Sequence, residues 1–472
     1  MLPITAQSGF FRRRQYLLTA VLALLIILVF AAVMVTTSPV PWQLWWQSPR
    51  QAYALARGYN PFPQPLTVPA SQPLSAMAQL GQQLFFDPSL SGSGQLSCAS
   101  CHSPSHAYGP ASDDAVVKGG IAMQQRGFRA VPSLAYLYRQ PLFNIGPDLE
   151  GDDDQVMTLQ QQAEQATTSD RAVKRADSTA LSASNLVPMG GLFWDGRVDT
   201  LQQQASGPLF NPVEMAAQSP ATVARALQQA SYADRFRALF GAHIFDNPQQ
   251  TVAEAMFALA RFQTEDSSFH PFTSQFDAWL QGNARMTPAQ IRGYLAFNDP
   301  RQGNCAACHL DKPGKDGLPP LLTDFQYEAL GVPRNAAIPA NADPSFHDLG
   351  LCGPFRQDLQ QQTQYCGMFL TPSLRNSATR RVFFHNGVFH TLEQVLNWYV
   401  NRDLHPSQFY ATGPDGKAIA YDDLPRQYVK NVDVSDAPLD RHPGDRPALD
   451  AEQIKDVVAF LGTLTDGYTT SK

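Results

Sequence analysis

Two short stretches carry residue types and spacing that can do chemistry: Cys98-Ala-Ser-Cys101-His102 and Cys305-Ala-Ala-Cys308-His309. Each is a C-x-x-C-H pattern. Its two cysteines form thioether bonds to porphyrin vinyl groups, and the adjacent histidine binds iron from the proximal side. A single copy could be chance or a zinc knuckle. Two copies, with no further cysteine pair to complete a four-cysteine zinc site of normal spacing, favour haem. The sequence therefore predicts two covalently bound haem c groups, on Cys98, Cys101 and His102 and on Cys305, Cys308 and His309. Cys352 and Cys366 are left over. They form either a disulfide or a pair of buried free thiols.

The elements that must position these groups are read from an internal repeat. Gly81-x3-Phe85-x-Asp87-Pro88 precedes the first site as Gly293-x3-Phe297-x-Asp299-Pro300 precedes the second. Pro132-Ser133-Leu134 and Pro372-Ser373-Leu374 follow them, and Asp195-Gly196-x3-Thr200-Leu201 corresponds to Asn386-Gly387-x3-Thr391-Leu392. This order predicts two fused mono-haem domains with long insertions. Apolar spacing predicts helices over Leu74–Phe86 and within Pro220–Phe262, the latter capped by Ser219. Further helices start at Thr287-Pro288 and at Asp450. Eight residues beyond Thr200 lies Pro208, and eight beyond Thr391 lies Tyr399. If both approach a distal haem face, the two irons differ. Proline has no ligand group, whereas tyrosinate is an axial ligand type. A packed core tyrosine is the other reading of Tyr399.

The chain has 472 residues, with 35 basic and 41 acidic side chains and a net charge of -6. That balance gives no electrostatic footprint for nucleic acid. Arg12, Arg13 and Arg14 precede an uncharged run, Tyr16–Val35, of the length of one membrane helix. A cleaved signal peptide is the competing reading. The expected organisation is a basic stretch and membrane anchor over 1–35, a tether over 36–71, and haem domains over 72–285 and 286–472. The acidic run from Asp148 to Asp154 and the Gln-rich stretch to residue 180 read as a surface insertion.

The chain resembles the bacterial di-haem cytochrome c peroxidase family, which includes MauG-type protein-modifying enzymes, over roughly residues 73–470. Besides the haem sites, the resemblance rests on Gly191-Leu192-Phe193-Trp194-Asp195-Gly196-Arg197 and on Gln204-Ala205-x-Gly207-Pro208 with Glu214-Met215. It also rests on Thr371-Pro372-Ser373-Leu374-Arg375-Asn376 and Phe384-His385-Asn386-Gly387. The resemblance implies a mainly α fold of two class I c-type cytochrome domains with long loops, here preceded by one transmembrane helix. It makes the N-terminal haem the peroxide site, with Gln204 and Glu214 in its distal pocket and Glu214 as acid–base. It places Trp194 between the haems as an electron relay.

Two departures from the peroxidase pattern follow from the same comparison. Classical members carry a distal histidine in a loop that falls near Ala122, before Gly127-Phe128-Arg129-Ala130-Val131-Pro132, and no histidine is there. The first haem is therefore expected to be open beside Pro208. Classical members also place a methionine 14 residues beyond His385; this chain has Tyr399, as MauG-type members do. Family calcium positions correspond to Ala130, Arg380 and Val382, an altered set. The partners implied are hydrogen peroxide and either an exported small redox protein or a partner protein whose Trp or Tyr is modified. A membrane-tethered electron-transfer cytochrome is the non-enzymatic alternative. With the basic N-terminus, the expected location is the periplasmic side of the bacterial inner membrane, on a single-pass anchor.

Overall fold

A computed structural model describes residues 38–147 and 186–469. Helices dominate these residues, and their starts follow side-chain chemistry. Ser75, Thr200, Ser219, Asn247, Thr287, Thr391 and Asp450 each accept a backbone N–H from the first turn of the helix they precede. The caps satisfy donors that a helix start leaves open. Those expected at Ser219, Thr287 and Asp450 are among them.

The apolar faces of these helices close two cores. The first gathers Leu80, Leu84, Phe236, Leu259 and Phe262, from the helices Ala76–Phe85, Ala233–Phe240 and Pro248–Glu265. The second gathers Phe276, Ile291, Phe297, Val457 and Phe460, from the helices Gln275–Leu280, Pro288–Asn298 and Ala451–Gly462. The two are built alike. A Cβ on Gly81 would lie 1.9 Å from the Ala258 carbonyl oxygen, and one on Gly293 would lie 1.9 Å from the Asp456 carbonyl oxygen. In each half, then, the helix before the C-x-x-C-H site crosses a later helix in backbone contact. Between the halves run two short antiparallel ladders, Asn144–Pro147 with Leu186–Met189 and Tyr327–Glu328 with Phe369–Leu370. An isolated bridge from Met189 to Gln326 ties them together.

Part of the stretch expected as a tether is folded. Helices Trp42–Gln47 and Pro49–Ala56 carry Ala52 and Leu55 into the second core, together with Val40. Trp279 in that core donates from Nε1 to the Gly58 carbonyl at 2.9 Å. Cys352 and Cys366 are joined in a disulfide, one of the two states left open above.

The expectation of a membrane-anchored chain requires correction. No helix among the described residues is long and apolar enough to cross a membrane. The 18-residue helix Pro248–Glu265 carries Glu254, Arg261 and Glu265 among its apolar positions, so it packs one face on a core and shows the other to solvent. The Tyr16–Val35 run on which the anchor rested lies outside the described residues, as does the acidic and Gln-rich stretch to residue 180. The transmembrane helix, the membrane as partner and the inner-membrane location are therefore not carried further.

The paired crossings yield a test. Gly81→Ala and Gly293→Ala should each lower stability by about 1–3 kcal/mol through overpacking against a carbonyl that cannot retreat alone. Denaturant titration of both variants measures this, and an unchanged midpoint would show that the helices separate without cost.

Candidate functional site

Each C-x-x-C-H stretch lines a cavity. His309, Cys305 and Cys308 border one of about 220 Å³, and His102, Cys98 and Cys101 border one of about 140 Å³. The two imidazoles are held in the same way. His102 Nδ1 lies 3.1 Å from the Tyr108 carbonyl oxygen, and His309 Nδ1 lies 3.0 Å from that of Leu322. A carbonyl can only accept, so Nδ1 carries the proton and Nε2 keeps its lone pair for a metal. Burial lowers both histidines to about 4, which keeps the rings neutral. The supporting loops repeat as well. Ser133 Oγ donates to the Ala107 carbonyl and Ser373 Oγ to the Leu321 carbonyl, both at 2.6 Å.

These walls fit haem c. Burial pushes the thiols up, Cys98 and Cys305 to about 12 and Cys101 to about 11. Such surroundings disfavour a thiolate but accept a neutral thioether without penalty. A neutral imidazole beside two such sulfurs is the donor set that covalent haem requires.

The opposite faces differ. Thr200 caps the helix Leu201–Phe210 and Thr391 caps the helix Leu392–Asn401. The first presents Gln204, Ala205 and Pro208 to the smaller cavity; the second presents Val395, Leu396 and Tyr399 to the larger one. The repeat thus superposes Pro208 on Tyr399, each eight residues past its cap. Gln204 is buried in the wall of the smaller cavity. The Tyr399 hydroxyl faces the larger cavity, and burial raises its pKa strongly.

Glu214 also lines the smaller cavity. Its backbone is fixed on two sides, because Gly120 N–H donates to its carbonyl at 2.7 Å and Met215 N–H donates to that of Pro208 at 3.1 Å. Asn211 Nδ2 donates to Glu214 Oε1. The carboxyl keeps accessible surface while protein atoms crowd it. That burial raises its pKa above the ordinary glutamate value, with the Arg197 guanidinium and the Asn211 amide pulling the other way. None of the residues Gly120–Met123, where the family histidine loop falls, lines the cavity.

Trp194 is the residue that borders both cavities. Its Nε1 donates to the Ala130 carbonyl at 2.8 Å, and Ala130 N–H donates to the carbonyl of His385, the repeat counterpart of Trp194, at 2.7 Å. Beside it lies a buried ion network. Arg129 makes two hydrogen bonds to Asp348, through Nε and Nη2 at 2.7 Å each, and a third to Asp195 at 2.7 Å. Arg197 binds the other Asp195 oxygen at 2.8 Å. Arg356 Nη1 donates to the carbonyls of Asp195 and Gly196, each at 3.0 Å. Sequence reasoning quoted Arg129 and Asp195 inside motifs but gave neither a role. The available signal was the repeat itself, which places an acid at Asp195 where the second half has the neutral Asn386.

The altered calcium positions do not fit calcium. Ala130 has no side-chain oxygen. Arg380 places its own guanidinium there, donating from Nη2 to the Val131 carbonyl at 3.1 Å and from Nε to the Val382 carbonyl at 3.3 Å. Among the described residues, no cluster of three or more His, Cys, Asp or Glu side chains could hold a metal ion.

Comparison with known proteins agrees with this geometry. A family model described as di-haem cytochrome c peroxidase matches residues 75–285. The methylamine utilization protein MauG of Paracoccus denitrificans is 31% identical over 405 residues, covering 83% of this chain and 89% of that protein. The cytochrome c551 peroxidase of Nitrosomonas europaea is 27% identical, covering 68% and 71%. The crystal structure of the diheme peroxidase BthA from Burkholderia thailandensis superposes with a TM-score of 0.70 at 34% identity, covering 84% of this chain and 87% of that one. Two C-x-x-C-H cavities on a duplicated helical frame, with relatives matched over most of their length, place this chain in the bacterial di-haem cytochrome c peroxidase family of peroxidases and MauG-like oxidoreductases.

Proposed function

We propose that the protein reduces hydrogen peroxide at the smaller cavity and draws the electrons, through the larger one, from an external donor. The observation that supports this is the asymmetry of two equivalent helix positions. Pro208 offers no ligand and leaves room for a small oxidant, whereas Tyr399 offers a phenol oxygen to the other cavity. Haem, when bound on His102 and on His309, supplies an iron that binds peroxide at the first site and exchanges electrons at both.

The protein's own residues supply the rest. The Gln204 amide, buried in the cavity wall, orients peroxide by hydrogen bonding. Glu214, held by Asn211, takes a proton from one peroxide oxygen and returns it to the other, which leaves as water. Over the cycle, peroxide, two electrons and two protons give two waters. Trp194 conducts between the cavities, and its hydrogen bond to Ala130 fixes the ring on that path. Tyr399 would offer its phenol oxygen to a haem held on His309, where an anionic oxygen would favour the oxidised state.

A second reading has a specific observation in its favour. An anionic oxygen at Tyr399 lowers the potential of the second site relative to a methionine ligand. That suits storage of an oxidising equivalent better than electron entry from a high-potential cytochrome. It supports MauG-type use of peroxide to oxidise Trp or Tyr residues of a partner protein. A purely electron-transferring cytochrome fits less well, because it has no use for a carboxyl held beside a ligand-free face.

Electron paramagnetic resonance of the ferric, haem-loaded protein should show one high-spin and one low-spin signal, with Tyr399→Phe altering the low-spin one alone. Two low-spin signals in the unmodified protein would sink the open site. Glu214→Gln should slow peroxide cleavage about 100-fold while both haems stay attached, as expected for loss of general acid–base catalysis. The pH profile adds an independent check. The base form of Glu214 exists only above its raised pKa, so the rate should fall as pH drops through a value above the usual glutamate range, and Glu214→Gln should lose that limb. Adding peroxide with reduced cytochrome c, or with candidate partner proteins, separates the two donors: turnover of the cytochrome marks a peroxidase, and new covalent mass on a partner marks modification.

A further inference from the structure

Beyond the wall of the larger cavity sits a tyrosine held in an unusual way. Tyr421 has φ +59°, a conformation that a bulky side chain adopts only when its surroundings impose it. Its ring lies against Gly331, which lines the larger cavity. A Cβ on Gly331 would stand 2.4 Å from Tyr421 Cδ1, so glycine is what lets the ring reach the wall. The Tyr421 hydroxyl donates to Asp403 Oδ1 at 2.6 Å. Asp403 is held in turn by Arg402, whose Nε donates to its other oxygen at 2.9 Å. A second phenol adjoins the first. The Tyr410 ring centroid is 5.7 Å from that of Tyr421, and its hydroxyl donates to the Gly331 carbonyl at 2.7 Å. On the helix that supplies Tyr399, the buried Trp398 ring lies 5.0 Å from the Tyr399 ring.

We propose that Tyr421 is a redox-active tyrosine, the outlet at which an external one-electron donor repays the oxidising equivalents stored at the second haem site. This rests on the peroxide-dependent reading above, which supplies hydrogen peroxide as the oxidant. In the step, the Tyr421 phenol loses one electron across Gly331 toward the larger cavity, and its proton moves to Asp403. The products are a neutral phenoxyl and a protonated carboxyl. A donor at the surface then returns the electron, and Asp403 returns the proton. Two such steps balance one peroxide. Burial and the hydrogen bond to Asp403 raise the Tyr421 pKa, so the phenol keeps its proton at rest and electron loss requires a proton acceptor already in contact. Asp403 is that acceptor, and Tyr421 is only half-buried.

The test uses the full haem-loaded chain, hydrogen peroxide and no donor. Rapid freeze-quench resonance should show a tyrosyl radical in the wild type, and peptide mapping afterwards should find oxidation on the Tyr421 peptide. Tyr421→Phe should abolish that radical while leaving the resting haem absorption as it was. Asp403→Asn should slow its appearance roughly 100-fold through loss of the proton acceptor. A radical of undiminished yield in Tyr421→Phe, or wild-type oxidation mapped only elsewhere, would overturn the outlet while leaving peroxide reduction intact. Haem absorption that peroxide does not change at all would instead remove the underlying reading, and the outlet with it.

Discussion

The arrangement depends on a buried guanidinium. Arg129 comes from the first half, Asp348 from the second, and Asp195 from the turn that carries Trp194. Taking charges out of water is expensive, and losing one partner of a buried pair costs about 3–5 kcal/mol. These groups are tolerable only while all three segments stay in register. Their hydrogen bonds, with those of Arg197 and Arg356, fix the Trp194 turn against both halves. The relation between the two cavities is therefore set by charge pairing at the junction, while each cavity's own shape is set by apolar packing in its half.

The halves share a frame and differ in what they hang on it. The glycine crossing, the threonine cap, the serine-supported loop and the histidine-to-carbonyl hydrogen bond all occur twice. The copies diverge at Pro208 against Tyr399, Gln204 against Val395 and Trp194 against His385, the positions on which the proposed chemistry rests. A rigid, repeated scaffold allows this, since a side chain on a helix face can change without moving its neighbours' backbone.

Much of this was legible in the sequence, for physical reasons. Caps at Ser219, Thr287 and Asp450 are local, because the polar side chain and the N–H it serves are three residues apart or fewer. Motif spacing singled out the C-x-x-C-H residues that line the two cavities, and the echo of Thr200 in Thr391 paired Pro208 with Tyr399. What depended on distant contacts was not legible. Val40, Ala52 and Leu55 are too sparse to signal burial, and only the apolar surface around Trp279 explains it. Arg129 is one of 35 basic residues until Asp348, far along the chain, is brought to it. The apolar run near the N-terminus was read as an anchor, yet none of the described helices has that character. Tyr421 gave no sequence signal, since its setting is made by Gly331 and Asp403 from separate segments.

One indole wall shared by two cavities has a thermodynamic consequence. Whatever fills or charges one cavity changes the field and the packing felt at the other through the same ring. If both cavities hold redox groups, two sites linked in this way would not have private equilibrium constants. Their midpoints in a titration would then belong to the pair, and the influence would run equally in both directions. On the proposed function, the molecule would act as one two-electron reservoir with an internal partition, not as two haem proteins joined end to end.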